Sequence, residues 1–326
     1  MTRERAIPEE NAGSVAEARP ELGGAAATPS FVLPAGAPDG LPAGLGTTRI
    51  GPRTFRWGER TFVMGILNVT PDSFSGDGLL ARSSADGTGR AGVAAAVAQA
   101  RAMTAEGADL LDIGGESTRP GHAAVDADAE ARRVVPVVRA VRAELPDMPL
   151  TIDTTKPAVA AAALDAGADG INDVWGVAAD DALSRLAAER GVPIILMHNR
   201  AEPRYVNLLP EVVGDLQAAI ERSLSAGVAW SNILVDPGFG FGKTPEQNLA
   251  LLRDLGSLLL LGRPVVLGTS RKSTLGKLLD LPADERVEAT LATTALGVAA
   301  GVDVVRVHDV LANVRAARIA DAVVRR

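Results

Sequence analysis

Eight times along this chain a short apolar run gives way to a longer stretch with apolar residues at helical spacing or runs of alanine. The runs are "FVMGILNV" (62–69), "ADLLDIGG" (108–115), "PLTIDT" (149–154), "GINDV" (170–174), "PIILMH" (193–198), "NILVDPG" (232–238), "PVVLGTS" (264–270) and "VDVVRVH" (302–308). The helical stretches are 91–106, 126–144, 157–166, 180–190, 211–226, 245–255, 287–300 and 310–323. Runs this apolar belong to strands buried on both faces, as in a parallel sheet covered by helices. The alternation predicts an α/β fold, a (β/α)8 TIM barrel, with a doubly wound open sheet as the alternative. Gly107, Gly167, Gly227 and Gly301 each precede a run, where Gly is favoured just past a helix end.

Composition agrees: 47% of residues are apolar but only 3% aromatic, so helix–strand packing rests on Ala, Val, Leu and Ile. Ahead of the barrel, "TTRIGPRTFRWGERTFVMG" turns at Gly51-Pro52 and again near Gly58, which predicts a β-hairpin leading into a buried strand. Residues 1–46 are rich in Ala, Gly, Pro and Glu without a hydrophobic period, the composition of a disordered extension. The expected division is therefore an extension over 1–46 and one barrel domain over 47–326.

A net charge of −7 and a pI near 5.2 leave no basic excess to displace counterions, so neither nucleic acid nor an anionic membrane is expected as the main partner. A small molecule is. The absence of cysteine excludes disulfides, thiolate nucleophiles and Cys-based metal sites, and fits a reducing compartment. "MTRERAIPEENAGSV" has no apolar core of the signal-peptide kind, and no later segment has a bilayer-spanning length of apolar residues, so a cytoplasmic protein is expected.

Polar residues gather at the C-terminal ends of the eight runs: Asn68, Glu116 with Thr118, Asp153, Asn172, His198, Asp236, Ser270 leading into Arg271 and Lys272, and Arg306 with His308. In a parallel barrel these ends share one face, which predicts a single polar mouth. Each residue has a plainer reading: Asp153 as a helix cap, Asn172 as a loop-backbone partner, His198 as a hydrogen-bonded wall residue. Their joint placement favours a site.

The run "DPGFGFGKT" (236–244) has the look of a phosphate loop, yet it fails the Walker pattern, because Pro237 stands five residues before Gly242 where Gly is required. It fails the dinucleotide fingerprint too, by spacing and by following the sixth strand. What remains is a carboxylate at a strand end, a glycine-rich turn that permits close backbone approach, and Phe239 and Phe241, features that suit a flat heterocycle.

The segments "GILNVTPDSFS", "DIGGESTRPG", "IDTTKPAVA", "INDVWG", "LMH", "DPGFGFGK", "GTSRKS" and "RVHD" resemble, in order, the motifs of the dihydropteroate synthase family, from about residue 60 onward. That family has a (β/α)8 barrel. The resemblance implies a transferase of folate biosynthesis that condenses (7,8-dihydropterin-6-yl)methyl diphosphate with p-aminobenzoate, releasing diphosphate. It implies that Asp236, Asn172, Met197 and Phe241 surround the pterin, with Lys272 donating to its oxo/N5 side. Asp153 would lie near the pterin, where its charge would stabilise a carbocation as diphosphate leaves; Asp153 and Lys272 are thus the implied catalytic pair. Arg306 and His308 match an anion-binding pair, Thr118 and Arg119 fall on a substrate-covering loop, and Ser273 would meet the carboxylate of p-aminobenzoate. Asn68 matches a ligand of Mg²⁺, the implied cofactor, and a homodimer is the implied assembly.

Two departures stand out. The first loop reads "SFSGDG" where "SFSDGG" is commoner, which shifts Asp77, and "NRAEPRYVN" after "LMH" leaves the fifth loop without a template. The alternatives are a pterin-dependent methyltransferase, which would lack the "SRKS" and "RVH" anion sites, a silent pterin-binding paralogue, and a P-loop hydrolase, which the Pro237 spacing opposes.

Overall fold

A computed structural model of the 326-residue chain describes residues 44–69, 89–116, 125–178 and 180–325. An antiparallel hairpin, β1 (Thr47–Ile50) and β2 (Arg53–Arg56), turns at Gly51 and leads into the barrel. Eight parallel strands follow: β3 (Phe62–Asn68), β4 (Leu110–Gly114), β5 (Leu150–Asp153), β6 (Gly170–Asp173), β7 (Ile194–Met197), β8 (Ile233–Asp236), β9 (Val266–Leu267) and β10 (Val304–Val307). Their order is β8-β7-β6-β5-β4-β3-β10-β9. A parallel bridge between Val235 and Val265, with Val235 N–H donating to Pro264 O at 3.0 Å, joins the two ends. The sheet therefore closes into the expected barrel, and the open-sheet alternative is set aside.

Helices α1 (Arg90–Ala105), α2 (Ala127–Glu144), α3 (Pro157–Asp165), α4 (Ala182–Arg190), α5 (Leu208–Ser225), α6 (Pro245–Arg253), α8 (Val287–Ala299) and α9 (Val310–Val324) occupy the predicted stretches. The helical periodicity did not reveal α7 (Ser273–Leu279), which is too short to show it. Gly107, Gly167, Gly227 and Gly301 follow helix ends with φ between 93° and 113°, as their expected place just past a helix end requires.

The strand pleat sorts side chains into two cores. Val63, Leu111, Ile152, Ile171, Ile194, Val235 and Val305 face the helices in one continuous cluster. Met64, Leu110, Ile195, Leu234, Val266 and Val304 point into the barrel as a second cluster at its N-terminal end. The hairpin closes that end: the rings of Phe55, Trp57 and Phe62 meet at centroid distances of 4.9–5.6 Å. Trp57 Nε1 donates to Thr48 Oγ1 at 2.8 Å, and Thr48 in turn donates to Ser231 O. The N-terminal hairpin is a plug as well as a lead-in, and it leaves the C-terminal end as the barrel's mouth.

Trp57→Ala would empty this plug, and a loss of about 3–5 kcal/mol in unfolding free energy by urea denaturation is expected, the range for a buried aromatic truncated to Ala.

Candidate active site

The same pleat that places Met64, Leu110, Ile195, Leu234 and Val304 inside the barrel brings Asn68, Asp112, Asp153, Asn172, Met197, Asp236, Arg306 and His308 to its inner face toward the mouth. At its centre is Arg306. Its Nε donates to Asp112 Oδ2 and its Nη2 to Asp153 Oδ2, both at 2.6 Å. Asp112 also accepts from Thr151 Oγ1 at 2.5 Å and from Asn172 Nδ2 at 2.8 Å. This layer ties β4, β5, β6 and β10 together across the barrel interior.

Asp153 is not the helix cap that its position allowed. The N-cap of α3 is Lys156, without a side-chain bond, and Asp153 reaches across the barrel instead. Its second oxygen, Oδ1, is buried without a hydrogen-bond partner. Burial pushes the Asp153 carboxyl up to about 7; Arg306 opposes this, Asp112 reinforces it, and Lys272 opposes it. A buried carboxylate oxygen with nothing to accept from, in a concave polar mouth, fits a ligand that brings a donor or a positive charge.

On the opposite wall, Asp236 ends β8 with its Oδ1 accepting from Gly238 N–H at 2.7 Å. Burial raises this carboxyl as well, while that N–H and then Lys272, Arg306 and Lys243 lower it. Gly268 leaves the space between Asp236 and Arg306 open: a Cβ there would stand 3.9 Å from both side chains. Met197 is the register partner of Asp236 on β7. Lys272 Nζ lies 3.6 Å from the centroid of the Phe241 ring, so cation and aromatic form one face of the mouth. His308 Nδ1 and Ser270 Oγ lie 3.0 Å apart, and His308 N–H donates back to Ser270. Ser273 is the exposed first residue of α7, directly after Lys272.

Near the opposite rim, Gly114 leaves a gap flanked by Asp153 and Asn68, whose Oδ1 would lie 3.7 Å from a Cβ at that position. Among the described residues no group of three or more His, Cys, Asp or Glu could cage a metal. An amide oxygen and a carboxylate flanking one open space fit a hard, oxygen-ligated cation that keeps several waters.

Several expectations change. Thr118 and Arg119 lie outside the described residues, as does Asp77. Glu116 does not enter the mouth; it accepts from Val125 N–H and pairs with Lys156. His198 also leaves it: one residue past inward Met197, its side chain has the outward parity of Leu196 and is fully buried against Asp215 of α5. Arg306 stands paired with two carboxylates and not as a solitary anion site. Asp112 was missed altogether. Its signal was phase, two residues before Gly114 and so inward, but a strand-end search overlooks an acid in mid-strand.

The fold and mouth define a class: a (β/α)8 barrel whose C-terminal end presents buried acids, a buried arginine and an aromatic-backed lysine. Residues 64–308 match the family described as pterin binding enzyme, and the chain belongs to that family. It is 47% identical over 279 residues to the dihydropteroate synthase of Clostridium beijerinckii, covering 85% of this chain and 100% of that protein. Among solved structures, a dihydropteroate synthase from Clostridium difficile with pteroic acid aligns at a TM-score of 0.78 and 45% identity, over 83% of this chain and 100% of that one. The Xanthomonas albilineans enzyme in complex with 7,8-dihydropteroate aligns at 0.75 and 40% identity, over 85% and 98%.

Asp112→Ala would strip Arg306 of one carboxylate and Asn172 of its acceptor. A loss of about 3–5 kcal/mol is expected by chemical denaturation, the usual penalty for breaking a buried ion pair by removing one partner, with a smaller loss for Asp112→Asn.

Proposed function

We infer that this chain is a dihydropteroate synthase, a transferase joining (7,8-dihydropterin-6-yl)methyl diphosphate to p-aminobenzoate with release of diphosphate. The observation that carries the reading is the buried, unpartnered Oδ1 of Asp153, set beside Arg306 in a mouth that also holds Asp236, Asn172 and the Lys272–Phe241 pair. The relatives solved with pteroic acid and dihydropteroate support it.

The amino-pyrimidine edge of a pterin presents adjacent donors, and a buried carboxylate such as Asp236 meets them with charge-assisted hydrogen bonds. Asn172 pairs with the same ring. Phe241 covers its face, Lys272 donates to the oxo/N5 side, and Met197 packs against the heterocycle from β7. The methylene C–O bond breaks and its electron pair leaves with diphosphate. Positive charge develops on the methylene and spreads into the electron-rich dihydropterin, where the Asp153 carboxylate stabilises it more than it stabilises the neutral ground state. The aniline nitrogen then forms the new C–N bond and loses a proton.

Arg306, already oriented by Asp112 and Asp153, presents its remaining guanidinium surface to diphosphate, with His308 beside it. Ser273 at the start of α7 receives the p-aminobenzoate carboxylate. Asn68 would hold Mg²⁺, which when bound neutralises charge on diphosphate. Thr118 and Arg119 complete the reading as substrate contacts, with 47–326 as the catalytic domain and the cytoplasm as its location. Leu278, Leu279, Leu296, Ile319 and Val323 are exposed apolar residues on the neighbouring helices α7, α8 and α9, which supports a homodimer through that face.

A coupled assay for diphosphate release with pterin diphosphate and Mg²⁺ is expected to depend on p-aminobenzoate; release that ignores it contradicts the reading. By calorimetry Asp236→Ala abolishes pterin binding, and Arg306→Ala weakens the diphosphate ester by more than it weakens the free pterin. Because Asp153 acts as the anion with its carboxyl raised to about 7, kcat/KM rises with pH through about 7 and flattens above it. An acid limb confined below pH 5 would contradict that role.

A further inference from the structure

Behind the mouth, on the helix side of β7 and β8, lies a second, partly buried polar cluster whose centre none of the chemistry above uses. Its centre is Lys243, the lysine of "DPGFGFGKT". Lys243 Nζ donates to Gly238 O and Phe241 O, both at 3.1 Å, and lies 3.0 Å from His198 Nδ1. The other ring nitrogen of His198, Nε2, lies 3.1 Å from Asp215 Oδ2. An N–H donor at Nδ1 and a carboxylate at Nε2 select the neutral Nε2–H tautomer. Burial, then Lys243, pushes this imidazole down to about 4, so it stays an acceptor for Lys243 at neutral pH.

Around this pair the fifth loop, for which sequence offered no template, forms a brace. Arg200 bonds Asp215 and Glu211 at 2.7 Å each, and its guanidinium stacks on Tyr205 at 4.4 Å. Tyr205 Oη donates to Gly242 O at 2.9 Å. The glycine run lies directly on this support. Gly238, at φ 67°, has no room for a Cβ against His198 O, and Gly242, at φ 51°, none against the Arg200 backbone. On its far side, Gly240 N–H donates to Asn248 Oδ1 at 2.7 Å, and Asn248 Nδ2 donates to Thr274 Oγ1 at 2.9 Å, beside Ser273.

We propose that Lys243 and His198 are positioning residues for the pterin half of the reaction, fixing the 237–242 turn so that Gly238 N–H locks Asp236 and Phe241 lies under Lys272. The assignment rests on the dihydropteroate synthase reading. All the groups facing Lys243 belong to this device: His198 and Asp236 at the ends of β7 and β8, Arg200 beyond β7, and Asp215 on α5. The carbonyls of Gly238 and Phe241 hold the lysine head inside the turn, so it acts on substrate through the loop and not by contact. A turn built of three glycines at positive φ has wide conformational freedom in solution, and two carbonyl bonds from one lysine head remove it.

Steady-state kinetics on the full chain test this. Lys243→Met is expected to raise KM for pterin diphosphate roughly tenfold or more, the effect of losing the several hydrogen bonds that hold the turn, while KM for p-aminobenzoate and kcat change by no more than about threefold. Tyr205→Phe, which removes one hydroxyl at the edge of the brace, is expected to move the same parameter by a smaller factor, and Asp215→Asn likewise through His198. Should Lys243→Met fail to fold, these two variants decide. Folded variants with an unchanged pterin KM, or with both KM values rising and kcat falling together, overturn the proposal. A wild-type chain without p-aminobenzoate-dependent activity would instead overturn the reading on which it rests.

Discussion

Arg306 lies inside the closed ring of strands, bonded to Asp112 and Asp153, and the polar mouth is organised around it. Three ionisable groups taken out of water are costly unless each is paired and its remaining hydrogen-bonding sites are filled. Thr151 and Asn172 fill those of Asp112. Asp153 alone keeps an unfilled oxygen. The layer is therefore satisfied except at that one oxygen. Because four strands contribute to it, barrel closure and site geometry are one structural problem.

The two lysines after β8 and β9 show how similar residues divide support and contact. Lys272 stands over the Phe241 ring at the mouth, while Lys243, close by in the fold, turns away and spends its donors on loop carbonyls and His198. Desolvation pushes the Lys243 amine down to about 7, with Asp236 opposing the shift. That depression would read as a catalytic lysine if taken alone. Its neighbours, two carbonyls of the 237–242 turn and His198, hold it inside that turn instead.

Much of the fold was legible because strand and helix periods differ and because buried parallel strands are apolar throughout. "FVMGILNV" and "NILVDPG" marked strands β3 and β8 within a few residues, and the motif order carried the family. Strand-end position found Asp153, Asn172, Asp236 and Arg306, but it also swept in His198 and Glu116. Reaching the end of a strand fixes height along the barrel axis, whereas entering the mouth depends on parity, and one residue of phase sends His198 outward. Asp112 failed the same test from the other side, being inward yet below the expected rim.

The sequence by itself determined the eightfold alternation, the glycine run after β8 and the set of acids, bases and amides available to a pterin site, since these follow from residue type and spacing. Only the tertiary structure decided which of them meet. Register between neighbouring strands set Arg306 across from Asp112 and Asp153, 194 and 153 residues away along the chain, and packing of the fifth loop against the sixth gave Lys243 its partners. Such pairings arise from closure of the barrel, which brings distant strands to fixed positions, and no local pattern encodes that distance.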